Sequence, residues 1–555
     1  MANKNQISMK RLLCSFLFIA ITTDAVKILG IFPRPAKSQF IFHESLMKIL
    51  AFAGHNVTII APYPLTTPIE NFTSIYRYIN HSLQEKSNSI SSFKSMSGHQ
   101  LRNFNLNIIE KYCYDITELE EIQEALKSEE KLFDIMFVEL MMMHECYLPI
   151  AQKLNIPVVG TTSVRDWIEA DNAIGNGQNP AVHPFIMSHV GKKMTFYQRI
   201  VNIIDNVIWN IYYHSMELPR LKRFYKRFYP EIQSKISKKV SLVFYNNHPS
   251  IFSRTVGPNS INIGGIRVKT VKMKPLPDNI VNFIEESENG VILFTFGSII
   301  NSKVISTQMK NLFKEVFAEI PQRVIWKFEE NVEGFSNNVL LQKWVHQKEI
   351  LSHKNVIAFI SHGGIGGMYE AVYTGKPVIM IPFFADQFSN SIILEELGVG
   401  IYLDIEKLTK KQLLNAINEV INNTNYVTNM QKLSKAFQDD PMPLDKTIVY
   451  WTEYVLRHNG SFHLRTTDAD MPLYQYLLLD IIVFVLNKLP CLEGEEDNRN
   501  IAFVVSRSDY IILGSTSVGN NAKKEKNMKK AAIPVSNETH LAFYSAFVLN
   551  ARKKR

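Results

Sequence analysis

The stretch "VIAFISHGGIGGMYEAVYTGKPVIMIPFFADQFSN" (356–390) alternates two apolar, β-branched runs with two helical stretches. Its first run predicts a buried strand over 356–361 that delivers Ser361, His362, Gly363 and Gly364 at its carboxyl end. A helix is expected from about Ile365 to Gly375, just before Pro377 opens the next strand. Glycines at a helix start leave backbone N–H groups free and let an anion approach closely, and the helix dipole adds a partial positive charge there. This is a phosphate cradle, to which His362 adds a donor and Glu370, two turns along, an acceptor for sugar hydroxyls. The next unit repeats the design: "IPFFADQ" ends in Asp386 and Gln387, suited to vicinal hydroxyls, with Asn390 one helical turn later. A ligand bearing both phosphates and hydroxyls is a nucleotide sugar. The competing reading is a set of tight turns that serve packing alone.

Working outward, the same alternation fills two halves of the chain. In the first, "VKILGIFP" (26–33), "NVTIIAP" (56–62), "FDIMFVEL" (133–140) and "IPVVGTTS" (156–163) read as strands separated by helices. In the second, the strands are "GVILFTFGS" (290–298), "QRVIWKF" (322–328), 356–361, "PVIMIPF" (377–383) and "VGIYLD" (399–404). Near-continuous Val/Ile strands alternating with helices indicate parallel sheets covered on both faces. Two doubly wound halves imply a cleft between them, where ligands sit at the strands' carboxyl ends. Residues 257–289, rich in Gly and Pro, read as the linker. The aromatic-rich helices of 185–230 read as core packing with a snorkelling basic face, or as the wall of an apolar pocket or a membrane-facing surface.

Composition narrows the function classes. With 46% hydrophobic and 20% charged residues, the chain is an ordinary globular one. The net charge of +9 gathers partly in "KKEKNMKK" (523–530) and the terminal "RKKR", so nucleic acid is not expected as a partner. Lys4, Lys10 and Arg11 precede an apolar run from Leu12 to about Thr22, with Thr23 and Ala25 placed for cleavage, which predicts a secretory signal peptide over 1–25. Sequons at Asn56, Asn71, Asn80 and Asn422 fit entry into the endoplasmic reticulum. Cys113, Cys146 and Cys491 then remain, and no disulfide framework is expected to support the fold. Rival chemistries lack their signatures: there is no G-x-G-x-x-G, no G-x-x-x-x-G-K-[ST], no G-x-S-x-G, and no zinc-protease histidine pair.

The segment 344–404, "WVHQKEILSHKNVIAFISHGGIGGMYEAVYTGKPVIMIPFFADQFSNSIILEELGVGIYLD", resembles the signature of the UDP-glycosyltransferases, most strongly their insect branch. Weaker similarity runs from "ILGIFP" through "WTEYVLRH" (451–458). The resemblance implies a GT-B fold: two Rossmann-like α/β domains, 26–256 for the acceptor and 290–458 for the UDP-sugar, followed by a hydrophobic C-terminal segment. It implies that Trp344 stacks on uracil and Gln347 bonds its edge, and that Ser298, His362, Gly364, Gly366 and Asn390 surround the diphosphate. Glu370 would bind ribose, and Asp386 and Gln387 the transferred sugar. It also implies direct displacement with inversion, with the UDP-sugar as co-substrate and neither cofactor nor metal. The implied partners are a small lipophilic acceptor and the endoplasmic reticulum membrane, with homo- or hetero-oligomers among related transferases left open.

The family's base histidine falls at Gln39 in "FPRPAKSQFIF", and glutamine has no accessible pKa. His43 lies one helical turn away and is a poor substitute, while the acidic partner aligns with Glu139, with Glu145 as runner-up. Glu139 could serve as base itself if burial raised its pKa. A transferase and a pseudo-transferase that only binds UDP-sugar are therefore both carried forward. The C-terminal segment (459–489) is expected to return toward a membrane. Its apolar run, Pro472 to Leu486, contains Asp480 and spans roughly 22 Å against a hydrocarbon core of ~30 Å. Residues 490–555 are an unassigned basic tail, with disorder one option. The location expected is the lumenal face of the endoplasmic reticulum membrane, or the lumen or secretion if that segment does not anchor.

Overall fold

A computed structural model describes residues 25–466, apart from 77–97, 233–238 and the short loop positions 66, 299, 301, 303–304 and 331–333. Beyond 466 it describes chiefly one helix and three strands. The proposed leader, Asn80 and Cys491 lie outside the described residues.

Thirteen strands build two sheets. β1 (Lys27–Ile31), β2 (Asn56–Ala61), β3 (Phe72–Tyr76), β4 (Ile135–Glu139), β5 (Val158–Thr162), β6 (Val240–Tyr245) and β7 (Ser260–Asn262) form a seven-stranded sheet in the order β3-β2-β1-β4-β5-β6-β7. β8 (Val291–Thr295), β9 (Arg323–Lys327), β10 (Val339–Gln342), β11 (Val356–Ser361), β12 (Val378–Met380) and β13 (Gly400–Tyr402) form a second, ordered β10-β9-β8-β11-β12-β13. All pairings in both sheets are parallel, with Leu29 opposite Met136 and Ile360 opposite Phe294 at the two centres. Each sheet is buried on both faces. Ile28 packs into one apolar cluster while its neighbours Leu29 and Ile31 pack into another, as the period-2 geometry of a strand requires.

In each sheet the chain reverses its direction of winding beside the first strand, at β1/β4 and at β8/β11. A crevice opens outside the carboxyl ends of the strands at such a point. The loops that follow β1, β4, β8 and β11 all line one cleft, which encloses about 1200 Å³. The helices that matter here are α1 (Lys37–Phe52) after β1, α2 (Gly98–Thr117), α3 (Phe196–Tyr212), α4 (Leu218–Phe228), α5 (Ile365–Thr374) after β11, α6 (Gln387–Glu396) after β12, and α7 (Leu444–Arg457).

Several expectations are revised. The stretch 257–289 is more than a linker, because Ser260–Asn262 supplies the last strand of the first sheet and the helix Asp278–Glu285 buries Ile280 and Ile284 in the core beside β8. α7, assigned by sequence to the second domain, packs on the first: Leu444, Ile448 and Val455 join Phe40 and Leu46 in one apolar cluster. Its amphipathic stripe finds its apolar partner across the lobe boundary, which no local pattern announces. Of the aromatic-rich helices in 185–230, α4 is core packing, with Leu221 and Phe224 in the first lobe's apolar cluster, and α3 is not. It buries only Asn202 and leaves Tyr197, Ile200, Val201, Ile204, Val207, Ile208 and Ile211 exposed in a helix-spaced stripe. Residues 470–555 form a separate compact unit. There the helix Leu479–Lys488 is too short to cross a membrane, and among the described residues no helix is long and apolar enough to do so. The tail left unassigned contains an antiparallel sheet of Arg499–Val505, Tyr510–Ser517 and Ala531–Pro534.

The expectation about cysteines is also corrected, because Cys113 and Cys146 form a disulfide with Cα atoms 6.0 Å apart. A count of three cysteines argues against a framework but not against one bridge. This one ties α2 to the turn after β4, where Met142 and Met143 hold left-handed φ values of 51° and 65°. Such backbone costs of order 1–3 kcal/mol per residue and persists only where its surroundings enforce it. Closing a loop of 33 residues stabilises by about 4 kcal/mol in the chain-entropy account. Cys146→Ser should therefore lower the unfolding free energy by about 2–4 kcal/mol, measurable by urea denaturation, and reductant should do the same to the native protein but not to the variant.

Candidate active site

The C-terminal lobe contributes the better-formed half of the cleft. The strand β11 ends at Ser361, whose hydroxyl accepts from the Gly363 amide (3.3 Å). Gly363 turns the chain at φ 77°, and a side chain there would strike the Ser391 hydroxyl at 2.3 Å. The chain then enters α5, where the first helical hydrogen bond is Met368 N–H to Gly364 O (3.0 Å). The amides of Ile365, Gly366 and Gly367 thus precede the ladder, and all three residues line the cleft. A Cβ on Gly366 would meet nothing within 4 Å, so the helix mouth is open at that point. His362 lines the same mouth and its Nδ1 is buried without a hydrogen-bond partner. Burial first, then the Lys327 ammonium, lowers its pKa to about 4, which leaves the ring neutral.

Around this mouth the carried-over residues fall into two groups. Trp344, Gln347, Ser298, Gly364, Gly366, Glu370, Asp386 and Gln387 all line the cleft. Trp344 is 57% exposed, an aromatic surface of the kind that stacks on a base, with the Lys327 ammonium 5.9 Å from its ring centre. Gln347 Nε2 donates to Glu370 Oε2 at 2.6 Å, and Arg267 reaches Glu370 Oε1 at 3.5 Å, so that buried carboxylate is held in place from two sides. Desolvation still raises the pKa of Glu370. Gln387 Oε1 accepts from the amides of Phe383 (2.9 Å) and Phe384 (3.2 Å), which fixes its side chain at the start of α6. Asn390 does not line the cleft. It is fully buried, and its Nδ2 donates to Gly363 O (3.1 Å) and Asp386 Oδ2 (2.7 Å). It holds the glycine turn and Asp386 from behind the cleft surface, whereas the resemblance implied a place around the diphosphate.

The N-terminal lobe supplies the other wall. Gln39 stands in the first turn of α1 and lines the cleft, and its Oε1 is buried with no hydrogen-bond partner. Neither His43 nor Glu139 lines the cleft. His43 is buried, stacks on Phe32 with ring centres 4.0 Å apart, and shares a hydrogen bond with Thr161 Oγ1 (3.1 Å). Burial drives its pKa down to about 3. Glu139 is 2% exposed and accepts from the amide and hydroxyl of Ser163. The imidazoles of His43 (4.0 Å) and His144 (3.8 Å) flank it, the latter with its pKa pushed by burial to about 4. A carboxylate thus does sit behind the strand-to-helix turn, one layer below the surface an acceptor would meet. Glu145 points elsewhere, accepting from Tyr213 OH (2.9 Å) in the core.

Reading the sequence alone missed several residues. Arg165, buried beside Asp166 (2.8 Å), donates to Ser389 Oγ at 3.1 Å and so ties the lobes together. Tyr369 OH donates to Asn246 O (2.8 Å), and the amide of Lys192 to Glu396 Oε2 (2.7 Å), with the same effect. None belongs to a motif, because each partner lies 123 or more positions away in sequence. Arg34 and Lys37, which also line the cleft, stood in plain view in "FPRPAKSQF", but no local pattern gave them a role.

Two Rossmann-like sheets meeting at a cleft, with a glycine-started helix on one side, define a GT-B glycosyltransferase fold. Solved structures agree at the level of fold. The glycosyltransferase SnogD from Streptomyces nogalater aligns with TM-score 0.52 and 14% identity over 78% of this chain and all of its own. Os79 from O. sativa in complex with UDP aligns with TM-score 0.52 and 14% identity over 77% of this chain and 99% of its own. Residues 35–492 match the family UDP-glucoronosyl and UDP-glucosyl transferase, and the chain belongs to that family. Among its relatives, UDP-glucosyltransferase 2 of Dactylopius coccus is 37% identical over 86% of this chain and 92% of its own length. UDP-glucuronosyltransferase 2B7 of Homo sapiens is 32% identical over 68% and 72% respectively.

One titration is measurable without any ligand. Burial, and then the neighbouring Glu217 carboxylate, raise Glu145 from an ordinary 4.5 to about 7. The folded chain keeps a proton there that the unfolded chain has lost, so this contribution to stability is complete below about pH 4.5 and disappears as pH rises through 7. Glu145→Gln, which retains the acceptor for Tyr213, should melt with the native protein near pH 4.5 and about 2 °C or more above it at pH 8 by scanning calorimetry.

Proposed function

We propose that the protein transfers a glucosyl group from UDP-glucose to a small lipophilic acceptor, with inversion at the anomeric carbon. The observation that carries this reading is the open amide mouth of α5 with His362 beside it, facing the cleft between Trp344 and Asp386. The diphosphate lies against those amides, uracil on Trp344, ribose against Glu370 and hexose against Asp386 and Gln387. In-line displacement from the N-terminal wall then inverts the anomeric centre. Amide dipoles and the neutral His362 meet the leaving charge, with no metal ion required. Glucose is favoured over glucuronate because, of the two relatives described, the one named a glucosyltransferase is the more similar.

A second reading has its own observation. Gln39 occupies the wall where a base would stand, and the nearest imidazole, His43, is buried, neutral and off the cleft. Loss of a general base costs roughly 10²–10⁴-fold in rate, so for alcohol acceptors the chain is a UDP-sugar-binding pseudo-transferase.

We place the protein at the lumenal face of the endoplasmic reticulum. The Cys113–Cys146 bridge supports an oxidising compartment, and Asn56, Asn71 and Asn422 are exposed as glycan acceptors must be. The apolar stripe of α3 supports contact with a membrane surface, since Trp209 and Tyr212 of the same helix line the cleft into which a lipophilic acceptor would pass.

Calorimetric titration with UDP and UDP-glucose tests the donor site: His362→Ala should weaken UDP about 10- to 100-fold, and unchanged affinity would remove the account of the helix mouth. With a phenol as acceptor, Gln39→His should raise turnover by 10²-fold or more. Equal turnover by the native protein and the variant would show that Gln39 costs nothing.

A further inference from the structure

The acceptor wall of the cleft is cationic. Among the described side chains that the N-terminal lobe presents there, Arg34 and Lys37 carry positive charge and none carries a carboxylate. Glu370 and Asp386, the acids that line the cleft among the described residues, are on the opposite lobe, and both are engaged, by Gln347 and Arg267 and by Asn390. Lys37 is partly occupied, its ammonium lying 4.6 Å from the Tyr63 ring centre. Arg34 is not. Among the described residues its guanidinium makes one hydrogen bond, to Met142 Sδ at 3.6 Å, and no carboxylate oxygen lies within 4.0 Å of it. Glu139 acts on it only from beyond that distance and already accepts from Ser163. Burial lowers the pKa of Arg34, a sign of how poorly the wall compensates its charge.

A guanidinium has five donors and is never neutral in a protein, so leaving it part-buried against a thioether is costly unless a ligand completes it. The loop that carries it is stiff, since Pro33 and Pro35 flank Arg34 and restrict its backbone. The same turn leads directly to Gln39 at the start of α1. The anion that Arg34 awaits would thus arrive where the acceptor's nucleophile belongs. The same lobe lines the cleft with Tyr63, Tyr112, Trp167, Trp209, Met141 and Met142, surface suited to a flat aromatic body.

We propose that the acceptor is an aromatic carboxylic acid, bound through its carboxylate to Arg34 and glucosylated to an ester without a general base. The inference rests on the UDP-glucose reading given above and names its acceptor class. One carboxylate oxygen stays on the guanidinium while the other attacks the anomeric carbon. The new C–O bond forms as the bond to the diphosphate oxygen breaks, and UDP departs with that electron pair. No proton moves, so glutamine at position 39 is no handicap: its amide can donate to the carboxylate, which a neutral imidazole acting as base would not need to do.

The test uses cinnamate and cinnamyl alcohol, which share a shape and differ in charge, with UDP-glucose as donor and the full chain as enzyme. Cinnamate should be turned over with the higher kcat/KM, and hydroxylamine should cleave its product, as it cleaves an acyl ester and not a glycoside. Since the carboxylate is ionised throughout, its kcat/KM should stay flat from about pH 5.5 to 8. Arg34→Gln should cut the acid-to-alcohol preference about 10- to 100-fold through KM, and Arg34→Lys should restore part of it. Cinnamate titrated into the protein by tryptophan fluorescence, with no donor present, should bind at least 10-fold more weakly to Arg34→Gln. A preference for the alcohol, a cinnamate product that hydroxylamine leaves intact, or cinnamate binding indifferent to Arg34 overturns the proposal. Failure of UDP-glucose to bind, read by calorimetry on the same preparations, would instead sink the donor-site reading.

Discussion

Parallel pairing is the constraint from which the rest follows. A parallel strand sends its following loop out at the carboxyl edge, so all such loops of one sheet share an edge. Where the winding reverses, at β1/β4 and β8/β11, two of those loops part and leave a crevice. This chain builds the device twice and aims both crevices into one cleft. Gln39 and Arg34 follow β1, Met141 and Met142 follow β4, Ser298 follows β8, and the glycine turn follows β11. Keeping the edges opposed falls to a few long-range ties, Arg165 to Ser389 and Tyr369 to Asn246 among them, and to α7, which belongs to the later part of the chain yet packs on the earlier lobe.

The two walls are unlike in their electrostatics. The donor wall presents backbone amides, a neutral imidazole and two carboxylates, whose protonated forms desolvation favours and whose places Gln347, Arg267 and Asn390 fix. Its positive charge includes the Lys327 ammonium, which lines the cleft and acts on that imidazole. The acceptor wall presents aromatic and thioether surface with two cations and, beneath it, a buried layer of Glu139, His43 and His144 whose imidazoles are neutral. The chain thus combines membership of the UDP-glycosyltransferase family with an amide-lined helix mouth on one wall of the cleft and Gln39 on the other.

Much of this was legible in the chain. Periodicity and length marked the parallel strands 26–33, 56–62 and 356–361, and the glycines after His362 announced a helix mouth, because both depend on interactions within a few residues. Asn390 was legible as part of the site but not in its role, since its spacing from Asp386 fits a ligand and a neighbour equally well. The apolar face of α3 suggested a core, yet amphipathicity states only that a face is apolar and not what covers it.

Sequence by itself determined the two-lobed α/β architecture, the glycine turn at the helix mouth and the glutamine at position 39, all of them encoded in short-range pattern or residue type. Tertiary structure alone decided that Cys113 meets Cys146, that β7 and α7 belong to the first lobe, that Glu139 lies behind the wall rather than on it, and that Arg34 faces the cleft with no carboxylate beside it among the described residues. Each of these depends on which distant segments come to lie together, and side-chain type carries no record of that.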